Sequence, residues 1–358
     1  MTQYCRVPIA SLSLFLCIGF LVTDARAADD TLPARLDDRE FWRIIEDFSE
    51  PNGYFRSDNL LSNENWLQHV IPDLLRRTKQ GGVYIGVGPE QNFTYVAALK
   101  PKLAFITDIR RGNLHTHLMY KALFELSADS AEFVSRLFTK PRPDGLGPRS
   151  SAQDIFTAYW NVQTSDEAAF KKNLEAIRDL LTQKHGFPLS GDDLAGLEYV
   201  YHNFYYFGPA INYTSSSSAG LGFAGGAQQY PTYADLMMHT DGSGVSRGYL
   251  ASEENFKTVK DLQEKNLIVP LVGDFAGPKT IRAIGKYLKE RGATVTAFYV
   301  SNVEYYLDGV RNDFCANVAS LPLDENSTYI RASRGGDRSS PLGAMQAETK
   351  GCGLASPR

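Results

Sequence analysis

Short apolar runs alternate in this chain with segments whose apolar residues recur at helical spacing. Apolar runs at 83–87 and 103–110 predict two buried strands. The segment between them begins with Pro89, a residue favoured in the first turn of a helix, and predicts a helix. Strand, helix and strand within about 30 residues form a βαβ unit, which joins two parallel strands.

The same order of elements returns much later in the chain. Apolar runs at 267–275 and 294–302 flank residues 277–292, whose apolar side chains follow one helix face. A further strand is predicted at 327–333. Two βαβ units predict an α/β fold built on a doubly wound, mostly parallel sheet.

Helices are predicted before the first unit and between the two units. Residues 37–48 and 63–82 show helical spacing. Residues from about 111 to 265 predict mainly helices, which we interpret as a large helical insertion that caps the carboxyl edge of the sheet. Within it, residues 214–233 predict a glycine- and serine-rich loop, either disordered or ordered by a ligand. The aromatic run at 199–208 predicts a core stripe or, secondarily, a pocket wall.

The two ends of the chain differ from the rest in composition. Residues 1–27 combine a basic start, an apolar run and small residues at Ala25 and Ala27, which predicts a signal peptide cleaved after Ala27. The alternative is an uncleaved membrane anchor, although the apolar run is shorter than the roughly 20 residues that span a bilayer. We expect a secreted or periplasmic protein with one Rossmann-like domain at 28–333 and a flexible tail at 334–358.

Two cysteines remain after signal cleavage. Cys5 and Cys17 belong to the predicted signal peptide, and Cys315 and Cys352 belong to the mature chain. In an oxidising compartment the second pair could form a disulfide and hold the tail. Two unpaired thiols are the alternative, and the spacing fits no zinc motif.

The charge of the chain weighs against one class of partner. The 37 basic and 41 acidic residues are interspersed, and the net charge is −4. Since no long basic run follows a phosphate backbone, we expect no nucleic-acid partner. No stretch after the predicted signal peptide is apolar enough to cross a membrane, so the expected partner is a small-molecule ligand.

The turn after the first predicted strand carries the first candidate chemistry. Gly86 and Gly88 would let a ligand approach the backbone, and Asp108 ends the second strand, 22 residues after Gly86. In doubly wound sheets an acid at that place binds ribose hydroxyls, so this spacing predicts a nucleotide-type site. A plain turn followed by a surface aspartate is the alternative.

Five stretches together resemble a known kind of protein, and they read "YIGVGPEQN", "FITDIRRGNLHTHLMYKALFEL", "YLASEENF", "VPLVGDFAGPK" and "FYVSNVEYY". With them, residues 37–333 are similar to an uncharacterised family of bacterial proteins whose fold resembles that of the class I S-adenosylmethionine-dependent methyltransferases. The resemblance implies a Rossmann-like sheet with S-adenosylmethionine as the cofactor. It also implies that Gly86, Gly88 and Asp108 bind that cofactor and that Asp274 lies near its adenine.

The resemblance implies acceptor-binding residues as well. Asn302 and Glu304 stand where these enzymes contact the substrate, and they would orient or deprotonate the acceptor. Two positions depart from the methyltransferase pattern: Tyr84 stands in place of an acid, and Glu90 stands near the third glycine. Both side chains are expected to crowd or repel the methionine end of the cofactor.

Two other functions remain open on the sequence. The first is a non-catalytic binding protein that keeps the cleft and has lost the cofactor chemistry, as Tyr84 and Glu90 favour. The second is a nicotinamide-dependent oxidoreductase, for which Asp108 would serve equally well.

Three other motifs give weaker evidence of a functional site. Ser246 lies in a Gly-x-Ser-x-Gly sequence that follows no buried strand, which argues against a hydrolase nucleophile. His115 and His117 resemble a metal pair, but residues i and i+2 of a helix point apart. Arg110 and Arg111 either clamp an anion or form a solvated strand end.

Overall fold

The computed structural model describes residues 1–2, 30–163, 166–216, 230–332 and 342–352. The predicted signal peptide lies outside these ranges, apart from its first two residues, and so does most of the predicted loop at 214–233. Among the described residues, none of the helices combines the length and the apolar character needed to cross a membrane.

A six-stranded sheet forms the centre of the fold. Its strands are Val83–Val87 (β1), Leu103–Asp108 (β2), Ile268–Val272 (β3), Val295–Ser301 (β4), Thr328–Arg331 (β5) and Leu342–Ala344 (β6). Their order is β3-β2-β1-β4-β5-β6, and every neighbouring pair is parallel except β5 and β6. The predicted α/β fold with a mostly parallel sheet is therefore confirmed.

Helices surround this sheet. They are Asp38–Phe48 (α1), Ile71–Arg77 (α2), Gln91–Leu99 (α3), Arg111–Leu126 (α4), Ser130–Phe138 (α5), Ala152–Tyr159 (α6), Glu167–Asp179 (α7), Gly191–Phe207 (α8), Tyr233–Met238 (α9), Glu253–Glu264 (α10), Thr280–Lys289 (α11), Arg311–Ala319 (α12) and Met345–Glu348 (α13). A π-helical turn, Leu180–Lys184, continues α7, and 3-10 turns occur at Gly208–Ala210 and Val303–Tyr306.

Both faces of the sheet are covered. On one face Phe48, at the end of α1, packs against Phe105 of β2 and Tyr287 of α11. On the other face α3, α4 and α10 pack together, since the ring of Phe124 in α4 lies 5.4 Å from that of Phe93 and 5.3 Å from that of Phe256. Burial on both faces explains why β1, β2 and β3 are continuous apolar runs without alternation.

The described helices of the insertion follow a face of the sheet, whereas Tyr213 and Tyr230 of the insertion reach the carboxyl edge that it is predicted to cap. Helices α5 and α8 pack on the outer side of α4, where Tyr120 contacts Phe204 and Phe124 contacts Phe133. The buried aromatic residues of α8 find apolar partners there, since Phe204 contacts Tyr120 of α4 and Tyr201 stacks on Phe170 of α7.

The carboxyl edge is covered instead by residues 49–64. The backbone N–H of Glu50 donates to the carbonyl of Val272, and that of Gly53 donates to the carbonyl of Ile109, at 2.8 Å each. The helix predicted over 63–82 forms only as α2, because Pro72 has no N–H to donate to the preceding turn. Residues 65–70 therefore form turns ahead of α2.

The C-terminal segment is partly built into the fold. Residues 342–344 pair antiparallel with β5 as β6, α13 follows, and Cys352 is bonded to Cys315 of α12 with Cα atoms 5.5 Å apart. The flexible tail expected at 334–358 is thus wrong for residues 342–352. Backbone pairing, the disulfide and the buried Met345 fix a segment whose composition is polar.

Candidate functional site

A cleft of about 590 Å³ opens at the carboxyl edge of the sheet. Its floor is made by residues at the ends of four parallel strands, namely Val87 and Gly88, Asp108, Asp274, and Ser301 with Asn302. These strands stand in the order β3-β2-β1-β4, so the cleft crosses the point between β1 and β4 where the strand order reverses. In open α/β sheets this is where ligands bind.

Aromatic residues form the outer wall of the cleft. Phe55 and Tyr306 meet edge to face with ring centroids 5.2 Å apart, and the guanidinium of Arg56 lies 5.9 Å from the Tyr306 ring. Among the described residues of the insertion, Tyr213 and Tyr230 line the cleft, with ring centroids 5.1 Å apart. The described aromatic residues of 199–208 do not line it, so that run is mainly a packing element.

The two glycines of the first turn have different roles. Gly88 lines the cleft and has φ +77°, a conformation that favours glycine. Gly86 lies outside the cleft, and a side chain there would meet Asn92 and the Tyr84 hydroxyl. Gly86 is therefore a packing glycine beneath α3, whereas Gly88 is the glycine exposed to a ligand.

Tyr84 braces the turn and does not crowd the cleft. Its side chain is fully buried, and its hydroxyl donates to Oδ1 of Asn92 at 2.8 Å. Nδ2 of Asn92 in turn donates to the carbonyls of Val87, Gly88 and Pro89 at 2.9, 3.1 and 2.8 Å. This network fixes the backbone of the turn, so the crowding expected from Tyr84 is not seen.

Glu90 also points away from the cleft. Its carboxylate accepts from the backbone N–H of Ser62 at 3.2 Å, and burial raises its pKa to about 8. The carboxyl group lies near three buried hydroxyls. Burial raises the pKa of Tyr120, Tyr233 and Tyr249, and the negative charge of ionised Glu90 raises it further. Glu90 is thus mostly protonated at pH 7 and is not among the residues that line the cleft.

Asp108 lies in the cleft at the end of β2, as predicted. Its Oδ1 accepts from the backbone N–H of Arg110 at 2.9 Å, and Nε of Arg110 lies 3.3 Å from the same oxygen. Arg111 instead pairs with Asp193, at 2.6 Å from Nε to Oδ1. The two arginines therefore do not form an anion clamp in the cleft.

Asp274 lines the same cleft beside Phe275. The loop after β3 is held by Glu50, which accepts from the backbone N–H groups of Asp274 and Lys279 at 2.9 and 2.7 Å. Oδ1 of Asp274 accepts from the backbone N–H of Ala276 at 2.9 Å. The loop thus presents a fixed carboxylate next to an aromatic ring.

Of the two predicted acceptor-binding residues, only Asn302 lies in the cleft. Glu304 pairs with Arg331, with 3.1 Å between Oε1 and Nη2, and the same guanidinium lies 2.7 Å from Oε2 of Glu348. This ion-pair triad lies outside the residues that line the cleft, so the structure does not bring the Glu304 carboxylate together with Asn302. The prediction for Glu304 as a base in this cleft is corrected.

Glu64 is the cleft carboxylate that the sequence did not reveal. It accepts from the hydroxyl of Tyr299 at 2.6 Å and from the hydroxyl of Ser301, and burial raises its pKa. Ser301 has φ +49°, and the register of β4 against β5 shifts between Tyr299 and Ser301. Such an irregularity re-aims a side chain at a strand end. The helical spacing of residues 63–82 predicts that Glu64 belongs to a helix. Pro72, which interrupts a helix, is the sequence signal that argues against this.

The remaining candidate motifs have structural partners. Nε2 of His115 contacts Asp193 and Nε2 of His117 contacts the carbonyl of Gly88, each at 2.9 Å, so the two rings diverge. Burial lowers the pKa of His117 to about 4. Ser246 lies in a loop away from the cleft, and the described ranges contain no group of three acidic, histidine or cysteine residues that could hold a metal.

Fold and cleft together define an α/β protein with a ligand-sized cleft at the switch point of a mostly parallel sheet. The chain belongs to the family described as Domain of unknown function (DUF7790), whose model matches residues 60–185 and 223–349. The matched ranges include Glu64, Gly88, Asp108, Asp274 and Asn302. A search of the curated proteins finds no match.

Proposed function

We propose that the cleft binds an adenosyl ligand and that the protein is a methyltransferase-like enzyme acting on a small molecule, with S-adenosylmethionine as its cofactor. One observation carries this proposal: Gly88, Asp108, Asp274 and Asn302, which end four different strands, meet in one cleft. The resemblance to methyltransferases implies cofactor or acceptor binding for all four residues.

The topology supports a Rossmann-like sheet of the methyltransferase type. The parallel strands have the order 3-2-1-4-5, which doubly wound nucleotide-binding folds share, and an antiparallel strand follows at the edge. In such sheets a ligand lies across the turn after β1. Here the turn offers Gly88 and a backbone braced by Asn92.

Each lining residue has a chemical role in this proposal. Gly88 lets the ligand approach the backbone, and Asp108 accepts hydrogen bonds from two vicinal ribose hydroxyls. Asp274 and Phe275 offer an acceptor and a flat apolar ring to an adenine. Asn302 lies where an acceptor molecule would meet the 5′ end of the adenosyl group. Since Tyr84 and Glu90 point elsewhere, they leave this space open.

A non-catalytic binding protein is the second candidate function. The observation that favours it is the ion pair between Glu304 and Arg331, because it withdraws the predicted base from the cleft. Glu64 is then the remaining carboxyl group able to exchange a proton with a ligand near Asn302. A nicotinamide-dependent oxidoreductase has no comparable support, since Asp108 alone suits it.

The experiment is a thermal-shift series on the mature chain with S-adenosylmethionine, S-adenosylhomocysteine and NAD. A ligand at 100 times its dissociation constant adds about 2.7 kcal/mol of stability, which a melting curve resolves. We expect both adenosyl compounds to raise the melting temperature and NAD to leave it unchanged. No shift with either adenosyl compound would reject the proposal, and a shift without methyl transfer to any acceptor would favour the binding protein.

We also propose that the protein is exported, and that no membrane anchor remains after cleavage. The support is the composition of residues 1–27. N-terminal sequencing of material from the periplasm or the medium should give Ala28 as the first residue. A soluble cytoplasmic protein that retains Met1 would contradict export, and a membrane-bound one that retains it would favour the uncleaved anchor.

A further inference from the structure

The cleft has two chemically different ends, separated by the glycine turn. Asp108 ends β2 on one side of β1, and Ser301 ends β4 on the other side. Glu64 is bonded to Ser301 and therefore belongs to the β4 end. A ligand whose ribose lies at Asp108 extends its 5′ substituent across Gly88 toward Glu64.

Glu64 is held in a fixed position at that end. Its Oε1 accepts from the hydroxyls of both Tyr299 and Ser301. Ser301 adopts a left-handed backbone conformation, uncommon for a residue other than glycine, to place its hydroxyl there. Tyr299 is fully buried and pairs in register with Gly86 of β1. Two hydroxyls of β4, a strand that is paired with β1, thus position one carboxylate.

The charged side chains that bear on this end of the cleft are Glu64 and, beside the ring of Tyr306, Arg56. The charged side chains among the described lining residues are the carboxylates of Glu64, Asp108 and Asp274 and the guanidinium of Arg56. Arg110 lies beside Asp108, whereas the hydrogen-bond donors to Glu64 are neutral hydroxyls. Glu64 is partly buried, and burial raises its pKa, so a cation bound beside it would offset the cost of its negative charge.

We propose that Glu64 forms a subsite for a cationic group on the 5′ substituent of the adenosyl ligand, an ammonium or a sulfonium, and that it excludes ligands with a 5′-phosphate. This inference rests on the proposed function, because the adenosyl group sets the direction of the substituent. A cation at Glu64 gains a charge-assisted interaction, which is about twice as strong as a neutral hydrogen bond. A phosphate would meet a carboxylate of like charge, which is how a site rejects a wrong ligand.

Titration calorimetry on the mature wild-type chain tests the subsite with neutral, cationic and anionic probes. We expect S-adenosylmethionine to bind at least about tenfold more tightly than 5′-methylthioadenosine, which lacks both cationic groups, since about 1.4 kcal/mol is a factor of ten. We expect AMP to bind about tenfold more weakly than adenosine. S-adenosylhomocysteine keeps the ammonium and lacks the sulfonium, so its affinity shows which cation is recognised.

The variant Glu64→Gln keeps the shape and removes the charge. It should weaken S-adenosylmethionine about tenfold, leave 5′-methylthioadenosine within about twofold, and strengthen AMP. Glu304→Gln is the matched control, because that carboxylate lies outside the cleft and pairs with Arg331. It should change none of these affinities.

The outcomes separate this inference from the proposed function. If adenosine binds to the wild type and Glu64→Gln weakens all probes equally, or none, the cation subsite is rejected and the adenosyl cleft stands. Wild-type affinity for AMP equal to or above that for adenosine rejects the subsite in the same way. If no adenosyl probe binds, the proposed function and the subsite fail together. Should Glu64→Gln not fold, the wild-type ratios decide alone.

Discussion

At the residue scale, the two carboxylates nearest to the glycine turn have opposite surroundings. Asp108 faces the cleft next to the guanidinium of Arg110. Glu90 is fully buried among tyrosine hydroxyls and the backbone N–H of Ser62. The first position suits a ligand contact, and the second suits a neutral group of the core. Substitutions that remove the charge should therefore have opposite consequences at the two sites.

Asp108→Asn should weaken any adenosyl ligand without unfolding the protein. A charge-assisted hydrogen bond to ribose contributes about 1.5 to 3 kcal/mol, which corresponds to roughly 10- to 100-fold in affinity. The amide oxygen can still accept from the backbone N–H of Arg110, so the melting temperature should change little. Calorimetric titration and thermal melts measure the two effects. The exposed Asp47→Asn serves as the control, and unchanged affinity with a lowered melting temperature would show that Asp108 only caps its turn.

Glu90→Gln should stabilise the protein at neutral pH. The pKa of Glu90 is raised from 4.5 to about 8, so between these values the folded state holds a proton that the unfolded state releases. Stability is therefore lost as pH rises through this window, by about 3 kcal/mol at pH 7. The variant removes this loss, and urea unfolding between pH 5 and pH 8 should show a flatter profile than the wild type.

The exposed Glu175→Gln is the control for that profile. It should leave the dependence of the unfolding free energy on pH as it is in the wild type. The same wild-type slope in Glu90→Gln would mean that Glu90 is ionised in the folded protein.

At the element scale, the sequence predicted the strands well and the segment 60–70 poorly. Strands β1 to β4 are short apolar runs, a pattern typical of the strands of a parallel sheet covered on both faces. Apolar spacing at 63–82 suits a helix equally well, but residues 65–70 form turns, Nε2 of Gln68 donates to the carbonyl of His239 at 3.0 Å, and the helix begins only at Ile71, next to Pro72. Such contacts join residues far apart in sequence, so periodicity cannot reveal them.

The same limit applies to the candidate site. Gly88 follows a predicted strand, and Asp108, Asp274 and Asn302 lie in the last residues of predicted strands, so their common location could be inferred from strand ends alone. Glu64 follows no strand, and its place depends on a bulge and a left-handed residue in β4. Glu304 follows a strand too, but an arginine from β5 holds it outside the cleft. Long-range side-chain partners decide these last two positions.

The connection between β1 and α3 carries a prediction of its own. Tyr84→Phe removes the hydroxyl that donates to Asn92 and leaves a buried amide oxygen without this donor. We expect the free energy of unfolding to fall by about 1 to 3 kcal/mol, the usual loss for an unsatisfied buried group. Tyr54→Phe, at a side chain that is 84% exposed, should change it little. Equal stability of Tyr84→Phe and the wild type in chemical denaturation would show that the turn holds without this bond.

At the scale of the whole molecule, the N- and C-terminal parts of the domain both support the cleft. Residues 49–64 cross the carboxyl edge and supply Glu64. At the other end, Glu348 of α13 and Glu304 share Arg331, and Glu304 lies in the 3-10 turn that brings Tyr306 to the cleft wall. The disulfide between Cys315 and Cys352 ties the chain just after α13 to α12.

Removing this disulfide should destabilise the protein. The bond joins residues 37 apart in sequence, and a loop of that size corresponds to about 3 to 4 kcal/mol of chain entropy in the unfolded state. Cys315→Ser with Cys352→Ser, which avoids a free thiol, should lower the free energy of unfolding by up to this amount.

Thiol titration of the unfolded, unreduced mature protein should find no free thiol, and two thiols only after reduction. If both thiols react before reduction, the pair is not bridged, and the double variant should then unfold at the same denaturant concentration as the wild type.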